Sequence, residues 1–310
     1  MKNSHNIQTF PSIEGSLTGA TLMVPAISVG NIGQLAMDIL VTTLKAKKLA
    51  SCYHPSMLPL VGPDPYDTTS DDLMMACDIY KPTTITNANL ILMQIRSAIA
   101  PNKNNEFLDD LIAWCKEAGM AKGKCQPVIQ SSTLYISKSN LIIFRNQARL
   151  NFPNVIILVV LLASTSADER VDSQIMGSKL RYLVNEEGGR NELQNLKWVE
   201  MERKHTFPAT LSNEKEETLE DSLFLPGSGY TKRFYMKCME NQNGQSLKFV
   251  ALLMFASEGD NTGDAIQLVS HLQSWLKLLP THGDGLQAPK LQFPVSWQTL
   301  FGNAPPKIIF

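Results

Sequence analysis

Three short stretches carry residue types that could do chemistry. The first is Ser28-Val29-Gly30-Asn31-Ile32-Gly33. It sits between an apolar run and a helical pattern, where a loop can present free backbone N–H groups to a phosphate. The dinucleotide fingerprint asks for three glycines as G-x-G-x-x-G and an acid about 20 residues on. Only Gly30 and Gly33 are present, the next apolar run ends in Cys52-Tyr53-His54, and there is no G-K-[ST]. A tight turn into a helix explains these glycines better than a nucleotide does. The second stretch, Glu258-Gly259-Asp260-Asn261, ends another apolar run. Enzymes of the α/β class place catalytic groups there, and two carboxylates could share acid–base work. The same residues also fit a helix start, with Asn261 as N-cap and Asp264 completing a capping box. No His or nucleophile lies nearby in sequence. The third stretch, Pro226-Gly227-Ser228-Gly229, could cradle an anion. It reads more simply as a turn ahead of a strand from Tyr230 to Tyr235.

Other reactive side chains are dispersed. The five cysteines (Cys52, Cys77, Cys115, Cys125, Cys238) form no C-x-x-C pair, which predicts reduced intracellular thiols used as core filler. The five histidines (His5, His54, His205, His271, His282) show no metal-ligand spacing, so no metal and no cofactor is expected. His54 and His271 read as core or surface residues. No G-x-S-x-G elbow occurs. The residues picked out for binding are Lys307, Ile308, Ile309 and Phe310, behind Pro305-Pro306. Such a tail can plug a partner's pocket, with a Lys answering the carboxylate. The other reading tucks it into the protein's own core.

Alternating apolar runs and helical patterns must position these residues. Residues 1–19 read as a loose lead-in. A buried strand at 21–27 leads through the glycine loop to a helix from Gln34 to about Lys47, then a second strand from Leu49 to His54. This opening predicts a parallel crossover. Further strands are expected at 89–95, 159–163 and 247–256, with helices at 106–118 and 264–279. The stretch 212–221 reads as a solvated loop or helix end, and the last 30 residues as loop. The fold class this predicts is α/β, a single three-layer α/β/α domain with a mostly parallel central sheet.

Composition bounds the function. The 310 residues carry 28 Lys+Arg against 29 Asp+Glu, and 44% are hydrophobic. That is globular composition without the basic excess of a nucleic-acid binder. Only 18% are charged, against roughly 25% in soluble domains, so part of the surface is expected to lie against a partner. The N-terminus lacks a signal-peptide core, and the longest apolar run, 155–163, is too short to span a membrane. The expectation is a soluble protein of cytoplasm and nucleus, binding neither nucleic acid nor membrane.

Four stretches resemble the proteasome assembly chaperone 2 family: Leu22 through Asp38, Val61-Gly62-Pro63-Asp64-Pro65-Tyr66, Ser257 through Asn261 with its helix, and Ser296-Trp297-Gln298-Thr299-Leu300-Phe301-Gly302. They match in order over roughly residues 20–121 and 159–306. The resemblance implies a non-enzymatic α/β protein paired with proteasome assembly chaperone 1. Such a heterodimer binds the α subunits of the proteasome core particle, promotes α-ring formation and prevents off-pathway ring association. The family's tails can end in a hydrophobic–tyrosine–any-residue motif that enters pockets of the α-ring. Here Ile309 stands where that tyrosine would be. The alternative from the residues alone is a nucleotide- or nucleoside-processing α/β enzyme using the Gly30–Gly33 loop with Glu258 and Asp260.

Residues 123–158 do not fit the resemblance, and removing them joins helix to strand by a connection of ordinary length. Gly123-Lys124-Cys125 can be encoded with the splice-donor consensus GTAAGT, and Leu158-Val159 with an acceptor AG in the same phase. A retained intron is therefore the expectation for this non-native insertion; the alternative is a genuine loop. The expected organisation is lead-in 1–19, chaperone domain 20–302 containing that insertion, and tail 303–310.

Overall fold

Four runs of large aliphatic residues make the centre of the protein. The computed structural model describes residues 5–13, 17, 19–84, 89–118, 158–167, 178–203, 222–240, 247–279 and 290–297. In it β2 (Thr21–Pro25), β7 (Leu90–Ile95), β8 (Leu158–Ser166) and β11 (Lys248–Ala256) lie side by side as β7-β2-β8-β11, all parallel. Parallel strands at the middle of a sheet are covered on both faces, so every position wants an apolar residue. Leu22, Val24, Leu161 and Leu253 point into one core; Met23, Val160, Leu162 and Leu252 point into the other.

Further strands extend both flanks, paired antiparallel except for the parallel β9–β10 pair. Beyond β7 lie β6 (Cys77–Lys81), β3 (Lys47–Tyr53) and β1 (Gln8–Phe10); beyond β11 lie β9 (Leu180–Val184) and β10 (Val199–Glu200), making a sheet of nine strands among the described residues. A separate antiparallel ribbon pairs β4 (Val61–Pro63) with β5 (Leu73–Met75).

Helices cover both faces. On one side α1 (Ile32–Thr43), α3 (Glu187–Asn195) and α5 (Thr262–Leu276) bury Met37, Leu40, Leu193, Leu268 and Leu272. On the other, α2 (Asn104–Ala118) and α4 (Thr231–Glu240) bury Phe107, Leu111, Trp114, Phe234 and Tyr235. This is the three-layer α/β/α fold with a parallel centre that the alternating pattern predicts.

Several elements differ from the sequence reading. Residues 231–240 are helix, not the expected strand from Tyr230 to Tyr235: Thr231, Phe234, Tyr235 and Cys238 are buried, a spacing of 3.6 that outweighs the β preference of Tyr and Phe. The lead-in 1–19 contains β1, because β3 would otherwise be an open edge; Ile7 and Leu17 beside it are buried. β3 runs in the same sense as β2, but β7 and β6 intervene. Leu158, the last residue of the segment 123–158, already pairs with Thr21 and Lys248. The rest of that segment, the acidic stretch 212–221 and the tail 303–310 lie outside the described residues.

Candidate functional site

The three loops singled out from sequence meet at the C-terminal ends of β2, β8 and β11. Val29 N–H donates to Gly227 O (2.8 Å), and Ser166 N–H donates to Pro226 O (2.8 Å). Thr165 Oγ1 donates to the same Pro226 carbonyl (2.8 Å). Beneath them Ser28 Oγ lies 2.8 Å from Ser164 Oγ and accepts the Ser164 N–H at 3.0 Å. Tyr230 Oη donates to Pro25 O (2.7 Å), tying the third loop to the first.

Glycine is required here for close packing. Gly30 and Gly229 have φ of 67° and 61°. A Cβ on Gly30 would lie 2.5 Å from Asn261 Nδ2, and one on Gly229 would lie 2.1 Å from Ile27 O. Gly33 has helical geometry, yet its Cβ would lie 2.1 Å from Leu162 O. The first turn of α1 thus rests directly on β8. Where an open α/β sheet holds a ligand, this chain places its own loops.

The carboxylates next to this crossing point outward. Glu258 and Asp260 are exposed. Asp260 accepts the Thr262 N–H at 2.9 Å, and hydrogen bonding from Thr262 lowers its pKa. Asp264 pairs with Lys179 at 3.0 Å. Asn261 occupies the N-cap position of α5 without capping it: its amide donates to Ser257 O (3.1 Å) and Gly259 O (3.0 Å). The expected capping box therefore does not form: the Asn261 amide is turned toward Ser257, Gly259 and Gly30, and the Asp264 carboxylate pairs with Lys179.

A buried polar centre, which the sequence reading missed, stands behind α1. Asp38 Oδ1 accepts hydrogen bonds from Arg96 Nη2 (2.8 Å), Tyr66 Oη (2.7 Å) and Gln94 Nε2 (2.7 Å). Arg96 Nη2 also donates to Tyr66 Oη at 2.7 Å. Burial, reinforced by the Asp38 carboxylate, pushes the Tyr66 phenol well up and keeps it a donor. Burial opposes the charge of Arg96, but the Asp38 carboxylate beside it outweighs that and holds the guanidinium protonated. The available signal was a carboxylate inside an apolar helical run, Ala36-Met37-Asp38-Ile39-Leu40. Next to this centre Ser296 N–H donates to Pro65 O (3.2 Å), and Thr43 Oγ1 exchanges hydrogen bonds with the Gln292 backbone. Trp297 is buried in the α1-side core.

A second buried pair joins β3 to α2. Ser56 N–H donates to His54 Nδ1 (3.0 Å), which leaves the proton on Nε2, 2.9 Å from Asp110 Oδ2. Asn6 Nδ2 donates to the same oxygen at 2.9 Å. Desolvation works to raise the Asp110 pKa, but the hydrogen bonds from His54 and Asn6 leave it lowered. Of the two places open to it, core or surface, His54 takes the core; Cys52, Cys77, Cys115 and Cys238 are core as expected, all free thiols. Burial pushes the Cys238 thiol up to about 12, so it stays protonated. Among the described residues no group of three His, Cys, Asp or Glu is placed to hold a metal ion, and no helix is long and apolar enough to cross a membrane. Lys307, Ile308, Ile309 and Phe310 lie outside the described residues.

The described residues of the four stretches that carried the resemblance, 22–38, 61–66, 257–261 and 296–297, thus come together here. Comparison with known proteins agrees. The chain is 33% identical over 307 residues to Proteasome assembly chaperone 2 of Xenopus tropicalis, covering 98% of this chain and 97% of that protein. This chain belongs to the proteasome assembly chaperone 2 family. Proteasome assembly chaperone 2 of Homo sapiens is 30% identical over 305 residues, 95% of this chain and 96% of that one. The PAC2 family model matches residues 22–123, the part that supplies β2, α1 and the Asp38 centre. Among solved structures, Pyrococcus furiosus PbaA, an archaeal homolog of proteasome-assembly chaperone, superposes with a TM-score of 0.54 at 12% identity, over 90% of each chain. Pyrococcus furiosus PbaB, an archaeal proteasome activator, gives 0.52 at 13% identity over 90% of this chain and 92% of that one. These two likenesses establish the shared fold of the chaperone 2 family member described here.

Proposed function

We propose that this chain is a non-enzymatic chaperone for assembly of the proteasome core particle, working through its surfaces and without a cofactor. The observation that carries the reading is the near-full-length kinship with proteins named Proteasome assembly chaperone 2. The crossing of loops over the C-terminal strand ends supports it, because the chain fills with its own residues the place where an enzyme of this class would hold substrate. In this reading the chain forms a heterodimer with proteasome assembly chaperone 1 in cytoplasm and nucleus. The pair promotes α-ring formation and masks surfaces through which rings would associate prematurely. Lys307, Ile308, Ile309 and Phe310 are the tail residues offered to the α subunits.

Co-expression with proteasome assembly chaperone 1, followed by addition of α subunits, tests the reading. The expected result is a one-to-one chaperone pair that raises the yield of α-rings on native gels, with removal of residues 308–310 weakening ring binding but not pairing. A chain that stays monomeric beside chaperone 1 and leaves ring yield unchanged would overturn it.

A further inference from the structure

The β4–β5 ribbon turns a row of large apolar side chains to solvent. Its register sets Val61 opposite Met75 and Pro63 opposite Leu73, so side chains that alternate along each strand put these four on one face. Val61 is 60% exposed, Leu73 57% and Met75 38%, and Pro63 is exposed as well. Leu58 and Leu60, in the approach to β4, are exposed as well. Monomeric surfaces rarely leave so continuous an apolar strip uncovered.

The strip is held in place. Lys48 Nζ donates to Leu73 O (2.7 Å), and Met75 N–H donates to Asp78 Oδ2 (2.9 Å). Tyr66, in the connecting loop, is locked by Asp38 and Arg96. A preorganised apolar surface binds without a large ordering cost.

Its rim is acidic. The loop 64–72 carries Asp64, Asp67, Asp71 and Asp72 and no Lys or Arg. Lys48, at the base of the ribbon, is already engaged with Asp78 at 2.8 Å. We propose that the β4–β5 ribbon is the surface on which the partner chaperone docks, through an apolar patch of that partner rimmed by Lys and Arg. The inference rests on the assembly-chaperone reading above and deepens it by naming where and with what chemistry the pair forms. A second copy of this chain is disfavoured, because a two-fold contact would set one acidic rim against the other. The chain's own residues 298–310 offer a single cation, Lys307, to four aspartates. A permanently apolar strip also suits a lasting partner better than a transient client.

Two variants of the full chain test the idea, with purified proteasome assembly chaperone 1 as the probe. Val61→Asp/Leu73→Asp should weaken binding about tenfold or more, since it places charge at the centre of the contact. Asp71→Lys/Asp72→Lys should slow association severalfold and flatten its salt dependence. All four positions are exposed, and unchanged unfolding temperatures confirm that both variants fold. If the wild-type chain binds the probe and both variants bind equally well, this proposal fails while the pairing reading stands. If the wild type does not bind the probe, both fail. Loss of binding in the first variant with no effect of the second overturns the basic rim. A wild-type homodimer dissolved by Leu73→Asp would assign the ribbon to a second copy. Hydrogen-exchange protection of 61–63 and 73–75 that disappears on removing 298–310 would assign it to the chain's own tail. Either result overturns the proposal.

Discussion

Gly30 and Gly33 look alike in the sequence and do different work in the fold. At Gly30 the backbone is left-handed, with φ of 67°, and the Asn261 amide lies against it. A Gly30→Ala chain pays the left-handed penalty and must move Asn261, an expected loss of about 1–2 kcal/mol. At Gly33 the backbone is ordinary helix and the obstacle is the Leu162 carbonyl, 2.1 Å from where a Cβ would sit. Backbone cannot swing aside as a side chain can. Gly33→Ala should therefore be the worse change, about 2–3 kcal/mol or more, by forcing α1 off β8. Urea midpoints of the two variants check the order. Asp38→Asn tests the polar centre: it keeps the side chain's shape but leaves the half-buried Arg96 charge without a carboxylate, at an expected cost of about 2–4 kcal/mol. Asp110 gives a pH prediction. Its pKa is lowered in the folded chain, so its contribution is present above the unfolded value of about 3.9 and lost as pH falls through the lower folded value. Asp110→Asn should reduce stability near neutral pH and flatten its decline below about pH 4, as read from urea midpoints across that range. At this scale the tight turn at Gly30 was legible in the sequence, and the reason for Gly33 was not. A close approach to Leu162, 129 positions further along the chain, leaves no local trace.

Element boundaries were most legible where burial is complete. β7, β8 and β11 stand out as apolar runs because each is covered on both faces, and α2 and α5 because each shows one apolar stripe. The stretch after Tyr230 was misread because six residues containing Tyr, Thr and Phe favour a strand locally, while the helical period shows only when Cys238 is included. The join between α2 and β8 carries its own test. α2 ends at Ala118, and β8 opens at Leu158 in register with Thr21 and Lys248. A chain lacking 123–157 keeps Leu158 and joins the two elements through four residues, an ordinary connection. It should unfold within a few degrees of the intact chain and pair with the same partner. A collapse in unfolding temperature would make the segment part of the fold.

For the molecule as a whole, the crossing of three loops over the strand ends predicts an inert surface toward small anions. Adding nucleotides or phosphate should leave the unfolding temperature unchanged, since mass action stabilises only a chain that binds; a saturable rise would revive the phosphate reading of Gly30–Gly33. The same crossing shows why four separated stretches carried the family resemblance. Residues of 22–38, 61–66, 257–261 and 296–297 touch one another through the Gly30–Asn261, Asp38–Tyr66 and Pro65–Ser296 contacts. By itself the sequence determined the three-layer α/β/α class, the use of the four described thiols as core residues and the family, because periodicity, residue type and motif are properties of neighbouring residues. Only the tertiary structure decided that Asp38 meets Arg96 and Tyr66, that Asn261 faces Gly30 instead of capping α5, and that the β4–β5 strip faces water. Those outcomes depend on which distant segments the sheet order brings together, and sheet order is set by packing across the whole chain.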